Sequence, residues 1–217
     1  MNPAGPNWNV SLNSDTRKSV SFDAGGGSDS NEFGGWSHNG NVSISLKPLS
    51  SLTISTGPQL NRSRNVAQYV QTETDPAAAA TYGHRYVFGT IDQTQLTLTT
   101  RVNFVLTRRA SLQVFMQPLV VVGDYLDFKS LAAPRTFTFD AYPNAPFDPA
   151  FNFKSLRLNA IFRWEWRLGS ALYVAWTQQR QDLSHPGQFE FGRDLGDVFT
   201  GPADNILMVK FTRWFGR

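Results

Sequence analysis

A chain of 217 residues is long enough for one large domain or two small ones. Charged residues make up 17%, below the ~25% of soluble averages, while aromatics reach 13%. The net charge of +3 is too mild and too evenly spread to argue for nucleic acid, and the absence of cysteine removes disulfides and thiolate metal sites. Mean hydropathy is −0.31, and no run approaches the ~20 apolar residues of a spanning helix. That leaves barrels open, because their strands alternate and average out polar.

Residues 1–20 hold no basic stretch followed by an apolar run, so they do not read as a signal peptide. Trp8, Val10 and Leu12 alternate, Asn13 to Arg17 forms a polar turn, and Val20 and Phe22 alternate again, which predicts a short hairpin. Residues 24–35 are Gly-rich and are expected as a flexible surface loop. They lack the Lys-Ser/Thr of a phosphate-binding loop, and the spacing of Asp29 and Glu32 fits no calcium loop. Residues 36–46 read as a strand with Val42, Ile44 and Leu46 on one face and Asn41, Ser43 and Ser45 on the other. After a turn at 47–51, Leu52 and Ile54 begin a strand running past Pro58 toward Tyr69. Pro58 suits a segment projecting beyond a membrane better than a central soluble strand.

Residues 71–80 are expected as a loop. From Tyr82 one parity holds through Tyr86, Phe88, Leu96, Leu98, Val102, Phe104 and Leu106, which predicts one very long strand or a bend near Gly89. A turn at 107–110 leads to Leu112, Val114, Met116, Pro118, Val120 and Val122 on one face. Residues 124–150 form the longest irregular segment, aromatic and acidic. Next, Leu156, Leu158, Ala160, Phe162, Trp164 and Trp166 alternate with Ser155, Arg157, Asn159, Arg163, Glu165 and Arg167. After a break at 167–170 the alternation resumes with Leu172, Val174 and Trp176. A second long loop is expected at 183–203, and a last strand at 205–215 puts Leu207, Val209 and Phe211 opposite Lys210.

The turns at 47–51, 107–110 and 167–170 repeat one pattern, two outward apolar residues separated by five others. Short turns alternate strictly with the long segments 24–35, 71–80, 124–150 and 183–203, as periplasmic turns and extracellular loops do. The expected fold is all-β, an antiparallel meander transmembrane β-barrel of about nine strands. An odd count and the lack of a signal peptide lead to the expectation that residues 1–217 are a single barrel domain, the C-terminal part of a larger one.

On the inferred lumen face stand Arg101, Asn103, Gln113, Gln117, Arg157, Asn159, Arg163, Glu165 and Lys210. In hydrocarbon a mid-membrane Arg or Lys costs ~2–4 kcal/mol, so these must point inward. They line either a selective path or an ionic ladder that fills the lumen. Trp36, Trp164, Trp166, Trp176 and Trp214 are expected at the membrane interfaces. In the aromatic loop Asp124, Tyr125, Asp127, Phe128 and Tyr142 are candidates for glycan contact, or for packing over the barrel mouth. Catalytic signals are poor: His38, His84 and His185 are far apart in sequence, and no nucleophile elbow occurs. No catalytic residue, metal or cofactor is expected. A barrel-borne hydrolase using loop acids such as Asp140 and Asp194 is one alternative, and a soluble sandwich or lipocalin-like binder is the other.

The stretches WNVSLN…RKSVSFDAGGG, GGWSHNGNVSISLKPLSSLTISTGP, AQYVQ, QTQLTLTTRVNFVLTRRASLQVFMQPLVVVGDYLDFKSL, FNFKSLRLNAIFRWEWRLGSALYVAWTQ and NILMVKFTRWFGR carry a resemblance. They are similar to the C-terminal barrel region, a domain of unknown function, of large bacterial proteins with an N-terminal carbohydrate-binding module of the family 9 type. The resemblance implies a Gram-negative outer-membrane location and a non-catalytic role, anchoring or gating a carbohydrate-binding or uptake protein. The expected partners are the lipid bilayer and lipopolysaccharide, a carbohydrate ligand and the barrel-assembly machinery, with no nucleic acid. The N-terminal module itself is absent from this sequence.

Overall fold

A computed structural model of the chain describes residues 4–143 and 145–215. Ten strands form one antiparallel sheet: β1 (Asn7–Asn13), β2 (Val20–Ser30), β3 (Trp36–Leu49), β4 (Leu52–Thr74), β5 (His84–Thr107), β6 (Ala110–Leu131), β7 (Phe139–Ala141), β8 (Phe151–Arg167), β9 (Ser170–Asp182) and β10 (Ala203–Thr212). The order is a meander, β1-β2-β3-β4-β5-β6-β8-β9-β10, with the short β7 on the outer end of β6. The sheet is open: β1 pairs only with β2 and β10 only with β9. The all-β antiparallel meander is therefore as expected from the alternation, while a closed barrel is not what these strands form by themselves.

Several boundaries differ from the sequence reading. The Gly-rich residues 24–30 continue β2, paired with β1 on one side and β3 on the other. With backbone bonds on both flanks, the poor strand propensity of glycine is overridden by pairing. β4 runs on through Thr74, and β6 through Leu131, so the segments expected as loops at 71–80 and 124–150 are partly strand. β5 is continuous over its 24 residues, and its register slips between Phe88 and Thr90, a bulge at the suspected bend. The segment 183–203 holds a helix, α1 (Phe191–Thr200).

Each repeated turn has the same construction. Leu49 pairs with Leu52, Thr107 with Ala110 and Arg167 with Ser170, and each time the register shifts by one residue just inside the turn. Away from that bulge Leu46 faces Ile54, Val105 faces Ser111 and Glu165 faces Ala171, so like parity always meets like. One face of the sheet consequently gathers the alternating apolar set of each strand, although some apolar residues such as Phe115 and Ile161 lie on the other. At the β9–β10 ladder the parity changes, Leu207 pairing with Trp176 and Phe211 with Leu172, which returns the odd apolar residues of β10 to the same face.

The turns are staggered. Val20, the first residue of β2, stands level through Leu46 with Ile54, two residues into β4. Leu52 stands level through Phe104 with Leu112, two residues into β6, and Ala110 through Trp164 with Leu172, two residues into β9. One residue of stagger per strand, at ~3.3 Å rise and ~4.8 Å spacing, corresponds to a tilt of about 35° from the common axis.

Helix α1 lies on the apolar face near its loop end. Val198 packs with Val120, Val122 and Leu156, forming the one tight core cluster among the described residues. The helix is pinned by charge as well. Lys154 of β8, fully buried, reaches Asp182 at 2.7 Å, Asp197 at 2.8 Å and Ser184 at 2.8 Å. Asp194, also fully buried, accepts from Asn152 at 3.2 Å and from the Glu190 backbone N–H at 2.8 Å, which caps the helix start. Burial would depress the Lys154 ammonium, but its bonds to Asp182 and Asp197 outweigh that and raise its pKa. The same bond from Lys154, with Ser184, holds the Asp182 carboxyl down at about 2.

Replacing Lys154 with Met leaves Asp194 buried and Asp182 and Asp197 without their cation, which costs about 3–5 kcal/mol for a broken buried pair. A spin label on Gly196→Cys, the sole cysteine of such a variant, should become mobile in Lys154→Met as α1 detaches. Acid should act in the same direction. Because the folded pKa of Asp182 lies below its ordinary 3.8, its contribution is present above that value and lost as pH falls toward 2. The label should therefore be immobile at pH 6 and loosen between roughly pH 4 and 2.

Candidate functional site

The second face of the sheet brings together all nine residues expected on a polar lumen. Parity places Thr99, Gln117, Arg157 and Gln179 along one rung, then Arg101, Phe115, Asn159 and Thr177, then Asn103 beside Gln113, and finally Ser111, Arg163, Tyr173 and Lys210. Cross-strand bonds knit the rungs. Gln117 donates to Thr99 at 3.3 Å and Thr177 donates to Asn159 at 2.8 Å. Arg163 donates to the Tyr173 hydroxyl at 3.2 Å and to Glu165 at 2.8 Å, and the Lys210 ammonium lies 6.0 Å from the Tyr173 ring centre.

This face is a hydrogen-bonding surface with surplus positive charge. Glu165 is the sole carboxylate of the nine, and its two oxygens accept from Arg163 and from the Gly169 backbone N–H. Arg101 lies over the Phe115 ring at 5.4 Å, and neither it nor Arg157 has a carboxylate partner among the described residues. The arrangement can hold water and attract anions.

The apolar face is a band of even height. On β5 it runs from Leu96 to Leu106, on β6 from Leu112 to Val122 and on β8 from Leu156 to Trp166, eleven residues each. Its centre drifts with the stagger, from Val10 on β1, level with Leu96, to Val209 on β10, level with Phe104. Along an axis tilted by that stagger, eleven residues span about 27 Å. Most of the band has no cover: Val10 is 65% exposed, Ile44 40%, Leu106 45% and Val209 60%. Beyond its loop edge the same face turns ionic, with Arg64 bonded to Asp92 at 2.6 Å and Lys154 bound among its three aspartates.

The tryptophans divide. Trp164, Trp166 and Trp214 gather at the turn end, where Trp166 stacks on Phe211 at 4.6 Å and Trp214 donates its backbone N–H to Ser170. Trp36 stands above the loop edge, paired with Arg64 and stacked on His38 at 4.8 Å. Trp176 is not at a strand end: it sits mid-band beside Ala160 and Leu207 and donates to Asn205 at 3.1 Å. Pro58, too, lies inside the band, opposite Leu98, rather than beyond it. Its missing N–H coincides with a gap in the β3–β4 ladder between Asn41–Gln59 and Ile44–Thr56.

Of the glycan candidates, Asp124, Tyr125, Asp127 and Phe128 belong to β6 rather than to a loop. Tyr125 and Phe128 stack with ring centres 6.5 Å apart, and Phe147 packs edge-on against Phe128 at 5.5 Å. Asp124 pairs across the ladder with Asp92. Tyr142 donates to Glu73 at 3.1 Å under the Arg85 guanidinium, 4.6 Å from its ring centre, and burial with that bond raises its pKa. Arg85 also pairs with Asp75, whose pKa it lowers. Beside this pair a polar cleft of about 350 Å³ opens between Asp75, Thr81, Arg85, Ser130 and Asp140. Asp29 and Glu32 join no cluster, and among the described residues no group of three or more His, Asp or Glu could hold a metal ion. His38 stacks on Trp36, His84 lies near Tyr86 at 6.4 Å, and His185 is 3.9 Å from Asp197.

The Lys154 cluster and the Arg85 cleft escaped the sequence reading. The first had a signal: Asn152 and Lys154 fall on the apolar parity of β8 immediately before Leu156, where a polar pair marks either the end of the band or a buried partner. The Arg85–Asp75 pair is made across the connection between β4 and β5, and nothing in the spacing pointed to it.

Among curated proteins and among solved structures, none matches this chain. A family model described as a domain of unknown function, DUF5916, matches residues 1–215, and the chain belongs to that family.

Proposed function

We propose that this sheet is part of a β-barrel in the outer membrane of a Gram-negative bacterium. Its apolar band faces lipid and its Arg101–Arg157–Arg163 face lines the lumen. The observation that carries the reading is the band itself. It is eleven residues long on the central strands, its centre shifts from the level of Leu96 at β1 to that of Phe104 at β10, and polar residues border it at the loop end. A bilayer crossing takes ~9–11 strand residues, and barrel bands stand ~25 Å tall. Contiguous exposed apolar surface on this scale is foreign to soluble monomers.

Within this reading the role is non-catalytic: the barrel anchors or gates a carbohydrate-binding or uptake protein. The resemblance to proteins with a family 9-type carbohydrate-binding module supports that part. Unpaired backbone cannot face hydrocarbon, so β1 and β10 both require a strand partner in the membrane, and the barrel-assembly machinery would be the route to it. The polar cleft at Arg85 and Asp75 would lie on the outer side, where a glycan could reach it.

Two neighbouring substitutions test the assignment of faces. Val102→Arg places a charge mid-band and should destabilise the refolded barrel by ~2–4 kcal/mol in urea titrations in lipid vesicles. Asn103→Arg, on the polar face, should change stability by less than ~1 kcal/mol. Equal effects would remove the lipid-facing assignment. Depth is tested separately with single-tryptophan variants. Trp176 alone should be quenched by lipids brominated near mid-chain, and Trp36 alone should not.

A further inference from the structure

Where α1 leaves the sheet an apolar crevice remains, with a volume of about 120 Å³. Pro58, Leu96, Leu98 and Pro118 form its floor and Phe191 and Leu195 its overhang. Pro58 and Pro118 flank Leu98 on its two neighbouring strands; the β4–β5 ladder is continuous there, while the β5–β6 ladder is interrupted between Thr97–Leu119 and Thr100–Met116 and the β3–β4 ladder behind Pro58 between Asn41–Gln59 and Ile44–Thr56. An apolar cavity of similar size, about 150 Å³, stays dry and takes up a hydrocarbon ring. This crevice opens onto the exposed band through Pro58 and Phe191.

At its loop side stands a cation. Arg62 lies on the same face of β4 as Pro58 and Leu60, is exposed, and makes no hydrogen bond or ion pair among the described residues. Its neighbour Arg64 is already engaged by Asp92. Arg62 stands four residue steps along the strand from Pro58, about 13 Å, the distance from the upper part of an acyl chain to a headgroup phosphate once the side chain bends over. An apolar slot under a lid with a free guanidinium above it is complementary to an anionic amphiphile, the guanidinium being the side chain best suited to phosphate.

We propose that the crevice under α1 holds a short segment of one acyl chain of lipid A, with a phosphate of the same molecule on Arg62. This rests on the reading of the apolar face as lipid-facing, with its loop end in the outer leaflet. Lipid A is then the phosphorylated lipid at that level. The helix, fixed by Lys154, pins the chain in place.

The test is native mass spectrometry of the purified chain in detergent, with lipid A, phosphatidylglycerol or a neutral diacylglycerol added. One lipid A per chain is expected. Leu98→Trp fills the slot from the sheet and Leu195→Trp fills it from the helix; each should lower retention at least tenfold. Arg62→Gln should lower lipid A binding about tenfold, the loss of one charge-assisted bond, and leave diacylglycerol binding unchanged. Absence of bound lipid A, retention by the variants unchanged from that of the unsubstituted chain, or phosphatidylglycerol binding as tightly as lipid A overturns the proposal. Heat-dependent migration on SDS gels of the same samples separates the two readings. If that migration persists without lipid binding, the crevice assignment alone fails. If both are missing, the membrane reading fails with it.

Discussion

Antiparallel pairing in which like parity meets like across the apolar band from β1 to β9 is the constraint on which everything else here depends. A slip of one residue at any hairpin would turn that strand's apolar set onto the polar face, placing Leu156, Leu158 and Phe162 beside Gln113 and Tyr173. Three turns hold the register by the same device, a two-residue connection with one bulged residue on the incoming strand. The device also sets the stagger, because each turn is displaced by two residues from the previous one. Faces and tilt are thus consequences of one repeated local geometry, and the apolar band follows from both.

The exception at β9–β10 supports the rule. There the ladder pairs even with odd residues, and the sequence of β10 compensates by carrying its apolar residues at 207, 209 and 211. A shift of register and a shift of hydrophobic parity, matched to each other, keep the face continuous through a connection that contains a helix. The Gly-rich part of β2 also fits. A Cβ at Gly25 would come within 2.9 Å of Asn41 Oδ1, and one at Gly27 within 2.9 Å of the Trp8 carbonyl oxygen. Side chains there would press on both neighbours, so the glycines that look like loop composition serve close strand approach.

Period-two alternation made the long strands legible, because along the band each of their faces meets one kind of surroundings. The nine polar residues share one face because that grouping needs only parity and an even register. Helix α1 was not read, although Phe191, Leu195, Val198 and Phe199 have helical spacing, because Gly192 and Gly196 dilute the propensity over ten residues. What settles it is tertiary: Asp194 and Asp197 find Lys154 and Asn152, residues some forty positions earlier. The positions of Pro58 and Trp176 were misread for a related reason. Depth along a tilted strand depends on the stagger of its neighbours, and a single strand's sequence carries no record of that.

On the proposed membrane reading, the position of the Lys154 cluster bears on which side of the sheet would meet hydrocarbon. Removing a charge from water costs several kcal/mol per ion, and here one ammonium and one carboxylate are wholly buried while two further carboxylates remain in partial contact with solvent. Such a cluster is tolerable at the polar margin of a bilayer, where the outer carboxylates stay hydrated, and costly a few residues further in. It lies one alternate position beyond Leu156, the last apolar residue on that face of β8, and Arg64 with Asp92 borders the band in the same way on β4 and β5. The helix that the cluster holds presents Phe191 and Leu195 toward the band and its acidic residues toward the cluster. That orientation suits an interfacial helix, apolar below and charged above, better than a plug in an aqueous lumen. The same ion cluster therefore fixes the helix, marks where the apolar band ends, and leaves the slot between helix and sheet opening toward the apolar side.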